Sequence, residues 1–287
     1  MPVPQPGQII YVTKGHFLAW GGTAILERLL TGDVIKTPKP HPDFHDDHCR
    51  SMLAETEVYH RLGANPQVST LINWDPDTCC LTMEYLEKGE LTSYIQNHDQ
   101  DITPELRLRW ALQAAEGIAA LYSIEVIHCD VSPRNFLLGR DLDLKIADFG
   151  GASISGSQPS AVAGTRFLHP QFDWSQPPQF GDDIFSLGSP IYFIMTGNYP
   201  YAEKASDEVE VLYASENLPD VSNLTCGSII SQCWARTVHA SERGASHTRP
   251  RANYVPGTDD YASPYATGVF STTLPLSQKA AQTLVAQ

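Results

Sequence analysis

The sequence predicts an α+β fold of two lobes, a small β-rich one followed by a mainly helical one, and two observations carry that prediction. Short apolar and β-branched runs, separated by glycine, proline and aspartate, fill most of positions 9–86, with one helical stretch among them. From position 87 onward the segments read chiefly as helices. With 287 residues, 42% of them apolar, the chain can bury one substantial two-lobed core and is not globally disordered. The boundaries read as 9–86 for the first lobe, 87–240 for the second, and 241–287 for a polar, turn-rich tail expected to be disordered.

The first lobe opens with four strand-like runs, IIYV, FLAW, TAILERLL and DVIK, split by glycines. The proline-rich stretch 37–45 reads as a loop. A helix follows, capped by Asp46 or Asp47 and running to Leu62, with Met52, Glu55, Tyr59 and Leu62 on one face. Gly63 and Pro66 end it. Two more strands, VSTLINW and CCLTMEYL, flank the turn DPDT over 68–86.

In the second lobe a helix is expected at 90–98. A long one is expected at 104–123, with Thr103 as N-cap and Pro104 at the first helical position. Residues 136–147 read as a hairpin, because Leu142, Leu144 and Ile146 alternate with Asp143 and Lys145. The Gly-, Ser- and Ala-rich stretch 151–165 is expected to be a mobile loop. Further helices are expected at about 182–196, 205–215 and 226–235, and past Thr237 the pattern of the lobe degrades.

The formal net charge of −14, with no basic stripe, excludes a general nucleic-acid binder. The opening MPVPQPGQII lacks the basic and apolar regions of a secretory signal. The run IFSLGSPIYFIM is too short for a membrane span and contains a proline, so it reads as a buried core helix. Six cysteines, at 49, 79, 80, 129, 226 and 233, form no CxxC pair and are expected as free thiols. An intracellular protein, cytoplasmic or nuclear, monomeric and without a membrane partner, is the expectation. His41, His45, His48 and Cys49 cluster with three aspartates; a solvated loop is the preferred reading there, a metal site the alternative.

The strongest motif is His128-Cys129-Asp130-Val131-Ser132-Pro133-Arg134-Asn135. It resembles the protein-kinase catalytic loop, H-R-D-x-x-x-x-N. Phosphoryl transfer needs a carboxylate to orient the attacking hydroxyl and an amide oxygen to hold magnesium, and Asp130 and Asn135 supply both. Asp148-Phe149-Gly150, eighteen positions after Asp130, resembles the DFG motif whose aspartate binds magnesium. Val34-Ile35-Lys36 resembles the V-A-I-K strand, whose lysine meets the α- and β-phosphates and pairs with a helix glutamate. Spacing from Leu62 and Pro66 points to Glu55 as that partner, with Glu57 the rival.

The stretch from Leu81 through Leu86 to Glu90 resembles the segment linking the lobes, where backbone groups around Glu84 and Leu86 would meet adenine. Met83 would stand beside the adenine and Glu90 would meet the ribose. Gly164-Thr165 through Pro170-Gln171 resembles the end of the activation segment, and Asp183-Ile184-Phe185-Ser186-Leu187-Gly188 the start of the central helix. The resemblance runs over about 15–236 and is closest to a fungal-type group of short kinases with the H-C-D-x-S-P-R-N loop. It implies ATP and magnesium as cofactors and a protein as substrate.

Several positions depart from the family pattern. Gly21 and Gly22 replace a full glycine-rich phosphate loop, and Cys129 replaces an arginine that reads activation-loop phosphate. Ser132 replaces a lysine common in serine/threonine kinases, and Arg134 leaves the acceptor class open to tyrosine. Gln171 replaces a glutamate that pairs with a late arginine, for which Arg243 and Arg249 are candidates. Pro190 falls inside the central helix, at a cost of ~3 kcal/mol or more unless the helix kinks. Three functions follow: a kinase transferring phosphate to a serine, threonine or tyrosine hydroxyl, a pseudokinase that binds ATP or a partner, and a small-molecule phosphotransferase.

Overall fold

A computed structural model describes residues 11–235. Ile9 and Ile10, the end of the second lobe at 236–240, the expected tail at 241–287, Arg243 and Arg249 lie outside the described residues. A five-stranded antiparallel sheet forms the first lobe: β1 (His16–Trp20), β2 (Ala24–Arg28), β3 (Val34–Pro38), β4 (Leu71–Asp75) and β5 (Cys80–Met83), in the order β1-β2-β3-β5-β4. Tyr11 and Val12 form no strand, contrary to the reading of IIYV. Instead Tyr11 Oη donates to Glu27 at 2.5 Å and Lys14 Nζ reaches Cys80 Sγ at 2.9 Å, fastening 11–14 to the sheet. β3 also runs past Lys36 into the supposed loop, with Pro38 opposite Ala24 at the end of the ladder. A proline is tolerated there because a strand end need not donate every N–H.

The helix α1 (His45–Leu62) has Phe44 at its N-cap and no side-chain cap bond. Asp46 and Asp47 sit in the first turn instead, where they meet the positive end of the helix dipole. Its buried face carries Met52, Glu55, Val58 and Tyr59, as the spacing of three and four requires. Gly63, at φ +62°, ends it.

The second lobe contains α2 (Leu91–His98), α3 (Pro104–Ser123), α4 (Phe180–Thr196), α5 (Ser206–Ala214) and α6 (Gly227–Trp234). Thr103 caps α3 by accepting from Leu106 N at 3.2 Å. Helix α4 runs through Pro190, which withholds the N–H that would reach Ser186 C=O. Trp110, Phe136, Phe185 and Phe193 are fully buried, each worth roughly 1.5–3 kcal/mol on burial. No helix among the described residues is long and apolar enough to cross a membrane. All six cysteines are free thiols.

Two small sheets are formed by short strands set among these helices in the chain. β6 (Gly89–Glu90), β8 (Phe136–Leu138) and β9 (Leu144–Ile146) form one; β7 (Val126–Ile127) and β10 (Ser153–Ile154) form the other. β10 lies inside the stretch read as a plain loop. Ser69 N donates to Ile146 O and Ile146 N to Gln67 O, at 3.2 and 2.8 Å, which stitches the chain after α1 to β9. Helix α3 backs the same strand at Gly117, where an added Cβ would stand 2.5 Å from the Ile146 side chain.

Candidate active site

A cleft of about 710 Å³ is lined by β1–β3, the linker after β5, and the loops around β7–β10. Its floor is set by one buried carboxylate. Asp183, fully buried at the start of α4, accepts from His128 N at 2.7 Å and from Cys129 N at 2.9 Å. These bonds hold Cys129 at φ +67°, a conformation that otherwise favours glycine. Burial outweighs the neighbouring His128 and the two N–H bonds, and pushes the Asp183 carboxyl up to about 6.

The loop after Cys129 presents the next groups. Asp130 N donates to His128 Nδ1 at 3.3 Å, so the His128 proton lies on Nε2, which donates to Ala147 O at 3.2 Å. Asn135 Nδ2 donates to Asp130 O at 2.7 Å, which leaves the Asn135 side-chain oxygen as an acceptor. Asp130 Oδ1 is buried and has no hydrogen-bond partner. Burial raises the Asp130 carboxyl above the ordinary range, opposed by His128, Asn135 and Arg134.

Opposite this loop, Lys36 on β3 reaches Glu55 Oε2 on α1 at 2.5 Å and Asp148 Oδ1 at 2.7 Å. Glu57, the rival partner, faces the outer side of α1 and accepts from Arg61 at 2.7 Å. Burial alone would lower the Lys36 ammonium; Asp148 and Glu55 together carry it above its ordinary value. Glu55 is raised by burial, against the pull of Lys36, and Asp148 is lowered chiefly by Lys36. The Asp148 side chain nevertheless keeps 57% of its surface open, because one side looks into the cleft. Phe149 is fully buried, edge-on to Tyr59 and His128 at centroid distances of 5.2 and 5.4 Å. It therefore locks Asp148 to both α1 and the loop.

At the linker, Glu84 N donates to Thr70 O at 3.0 Å, and its carboxylate is taken by Lys145 at 2.5 Å and by Thr70. Leu86 O accepts from Gly89 N. The Glu84 carbonyl and Leu86 N–H enter no backbone bond among the described residues, in a stretch that lines the cleft. Met83, Glu90, Gly21 and Gly22 line it too.

Some lining residues were not singled out from the sequence. Leu26, Val34 and Leu137 form apolar walls; period-two alternation in their strands is the signal that could have found them. Ser160 and Ala161 also line the cleft. Gly151 permits this, since an added Cβ would come within 2.7 Å of Ala161 Cβ. Ser160 Oγ donates to Gly150 O at 3.2 Å and Ala163 N to Cys129 O at 2.8 Å, folding the segment back on the loop.

The donor set fits a hard divalent cation: the exposed Asp148 carboxylate and the Asn135 side-chain oxygen are oxygen ligands of the type magnesium takes. The other cluster considered, at 41–49, is spread over a loop and the start of α1, and among the described residues no group of three or more His, Cys, Asp or Glu side chains is placed to hold a metal ion. His48 Nδ1 bonds Lys39 O at 2.9 Å, and His45 Nε2 lies 3.6 Å from Cys49 Sγ.

A family model described as "Protein kinase domain" matches residues 33–244. The chain is 26% identical over 240 residues to "Serine/threonine-protein kinase 12" of Arabidopsis thaliana, an alignment covering 78% of this chain and 50% of that protein. It is 34% identical over 149 residues to "Putative mitogen-activated protein kinase kinase kinase 7-like" of Drosophila melanogaster, covering 48% and 38%. It is 32% identical over 162 residues to "Serine/threonine-protein kinase ATG1c" of Arabidopsis thaliana, covering 53% and 21%. The chain thus spans half or less of the length of these curated relatives.

Proposed function

The chain belongs to the protein kinase family, and we propose that it transfers the γ-phosphate of ATP to a serine or threonine hydroxyl of a protein. One observation carries the reading. Lys36, paired with both Glu55 and Asp148, faces the same cleft in which Asp130 keeps a buried oxygen without a partner.

In this reading the Glu84 carbonyl and Leu86 N–H take the adenine, Glu90 the ribose, and the turn at Gly21 and Gly22 covers the phosphates. Lys36, steadied by Glu55, neutralises the α- and β-phosphates. Asp148 and Asn135 hold magnesium, which when bound neutralises charge on the phosphates. Asp130 Oδ1 orients the acceptor hydroxyl and accepts its proton. The chemistry asked of the protein is positioning and charge neutralisation on groups already held in place. The serine/threonine names of two relatives above support the acceptor class.

The test uses the full chain, ATP labelled at the γ-phosphate and magnesium, with a mixture of casein and histone as acceptor and, in a parallel reaction, a panel of aminoglycosides. Label reaching the acceptor with wild type but not with Asp130→Ala supports the proposal. Heat stabilisation by magnesium–ATP with no transfer to any acceptor would replace it with the pseudokinase reading. Transfer to aminoglycosides alone would replace it with the small-molecule phosphotransferase.

A further inference from the structure

The five-stranded sheet has a second face, turned away from the cleft. Ala24 and Leu26 on β2 and Val34 and Lys36 on β3 line the cleft, so the alternate residues Ile25, Glu27 and Thr37 point to the other side. Leu81 stands opposite Lys36 in the ladder, which turns its neighbour Cys80 to that outer side as well. Cys80 Sγ lies 3.7 Å from Thr37 Oγ1 there. Outer-face positions would ordinarily meet solvent, yet Ile25, Glu27, Thr37 and Cys80 are all buried, Cys80 to 3% exposure. The strap at 11–14 covers this side: Tyr11 Oη and Lys14 N both donate to Glu27 Oε2, at 2.5 and 3.1 Å.

Lys14 supplies the other fastening. Its Nζ donates to Cys80 Sγ at 2.9 Å, across 66 positions of sequence. That is the separation of an ordinary N–H···O bond, although sulfur is the larger atom. The sulfur is fixed from its other sides by Thr37 Oγ1 and by Thr78 O, the latter at 3.3 Å. The lysine end has little slack, because an added Cβ at the following Gly15 would stand 2.3 Å from Arg28 O. Lys14 is itself exposed, so a small oxidant meets the pair from the solvent side although Cys80 is buried.

We propose that Lys14 and Cys80 form an oxidative modification site, at which dioxygen joins Lys14 Nζ to Cys80 Sγ through one bridging oxygen atom. The Cys80 S–H bond and two N–H bonds of the Lys14 ammonium break, and one S–O and one O–N bond form. The second oxygen atom leaves as water with the thiol hydrogen and one amine hydrogen, and the remaining proton goes to solvent. Sulfur and nitrogen give up two electrons each, and dioxygen takes all four. An oxidised cysteine sulfur is captured by whichever thiol or nitrogen stands beside it, and here the nitrogen of Lys14 is already in contact. The product fastens the strap covalently to β5, the strand that leads into the linker of the cleft.

The test purifies the full chain in dithiothreitol, removes the reductant, and holds the protein in oxygenated buffer beside Lys14→Arg and Cys80→Ser. Digestion and mass spectrometry should find the peptides of Lys14 and Cys80 linked, one oxygen heavier and two hydrogens lighter than their sum, and dithiothreitol should separate them. Neither variant should form the link; Lys14→Arg keeps a charged donor at an exposed position and so controls for folding. Closing so long a loop should raise the Tm of oxidised wild type by about 5 °C over the reduced form and leave Lys14→Arg unchanged. Absence of the linked peptides overturns the proposal, as does Cys80 recovered in a disulfide with Cys49 or Cys79, or as a sulfinic acid with Lys14 unmodified. A link that has lost two hydrogens and gained no oxygen overturns the bridge, and a link without a rise in Tm overturns the fastening of the strap. None of these readouts needs phosphate transfer, so they stand apart from the protein-kinase reading.

Discussion

Replacing Asp183 with asparagine probes the group on which the loop of Asp130 rests. The folded carboxyl sits at about 6 against an ordinary 3.8, so burial favours the protonated form by ~3 kcal/mol. The native state then binds a proton that the unfolded chain has released. Asp183's contribution to stability is full below 3.8 and is lost as pH rises through about 6. Above that window the ionised carboxylate is tolerated because it holds His128 N and Cys129 N at 2.7 and 2.9 Å.

Asparagine cannot ionise, so it escapes the ~3 kcal/mol penalty, but its amide group faces one N–H with no acceptor, at a cost of roughly 1–3 kcal/mol. The two effects nearly cancel at neutral pH, whereas in acid only the cost remains. Urea unfolding of wild type and Asp183→Asn across that range should therefore show a gap that shrinks by about 3 kcal/mol from acid to neutral. Other titrating groups cancel in the difference. A gap that stays constant with pH would refute the reasoning, since Asp183 would then not change charge in the folded state over that window.

Lys36→Met should remove phosphate transfer and destabilise the fold by about 3–5 kcal/mol, because it strands the buried Glu55 carboxylate. Adding Glu55→Gln should return much of that stability and none of the activity; urea midpoints and label transfer read the two. Thr103→Ala should cost about 1 kcal/mol through loss of the α3 cap and leave KM for ATP unchanged, checked by the same unfolding and by steady-state kinetics. The acid limb of transfer should sit above the ordinary carboxylate range, because the Asp130 carboxyl is raised by burial and must be ionised to accept a proton. A pH–rate profile checks this, and a limb at the ordinary value contradicts it.

What the sequence made legible was chiefly what is local or periodic. The α+β order of elements follows from runs and breakers. The side of α1 that carries Glu55 follows from its spacing to Met52 and Tyr59, all of which are buried. Thr103 and Pro104 announce the start of α3 by cap chemistry. The anchoring aspartate, Asp183, is legible only through the family pattern, since its two partners lie 55 and 54 positions away.

Long-range features stayed hidden for the same reason. β10 exists because it pairs with β7, which a Gly- and Ser-rich stretch does not signal. The strap at 11–14 depends on Glu27 and Cys80. The start of α1 was misplaced because two aspartates look like caps but serve the helix dipole from within the first turn.

The central claim is tested most directly by phosphoamino-acid analysis of the acceptor after incubation with the full chain and magnesium–ATP. Phosphoserine or phosphothreonine with wild type, absent with Asp130→Ala and with Asp148→Ala, is the predicted result. Phosphoamino acid formed equally by both variants, or ATP split to free phosphate with an unmodified acceptor, would contradict it.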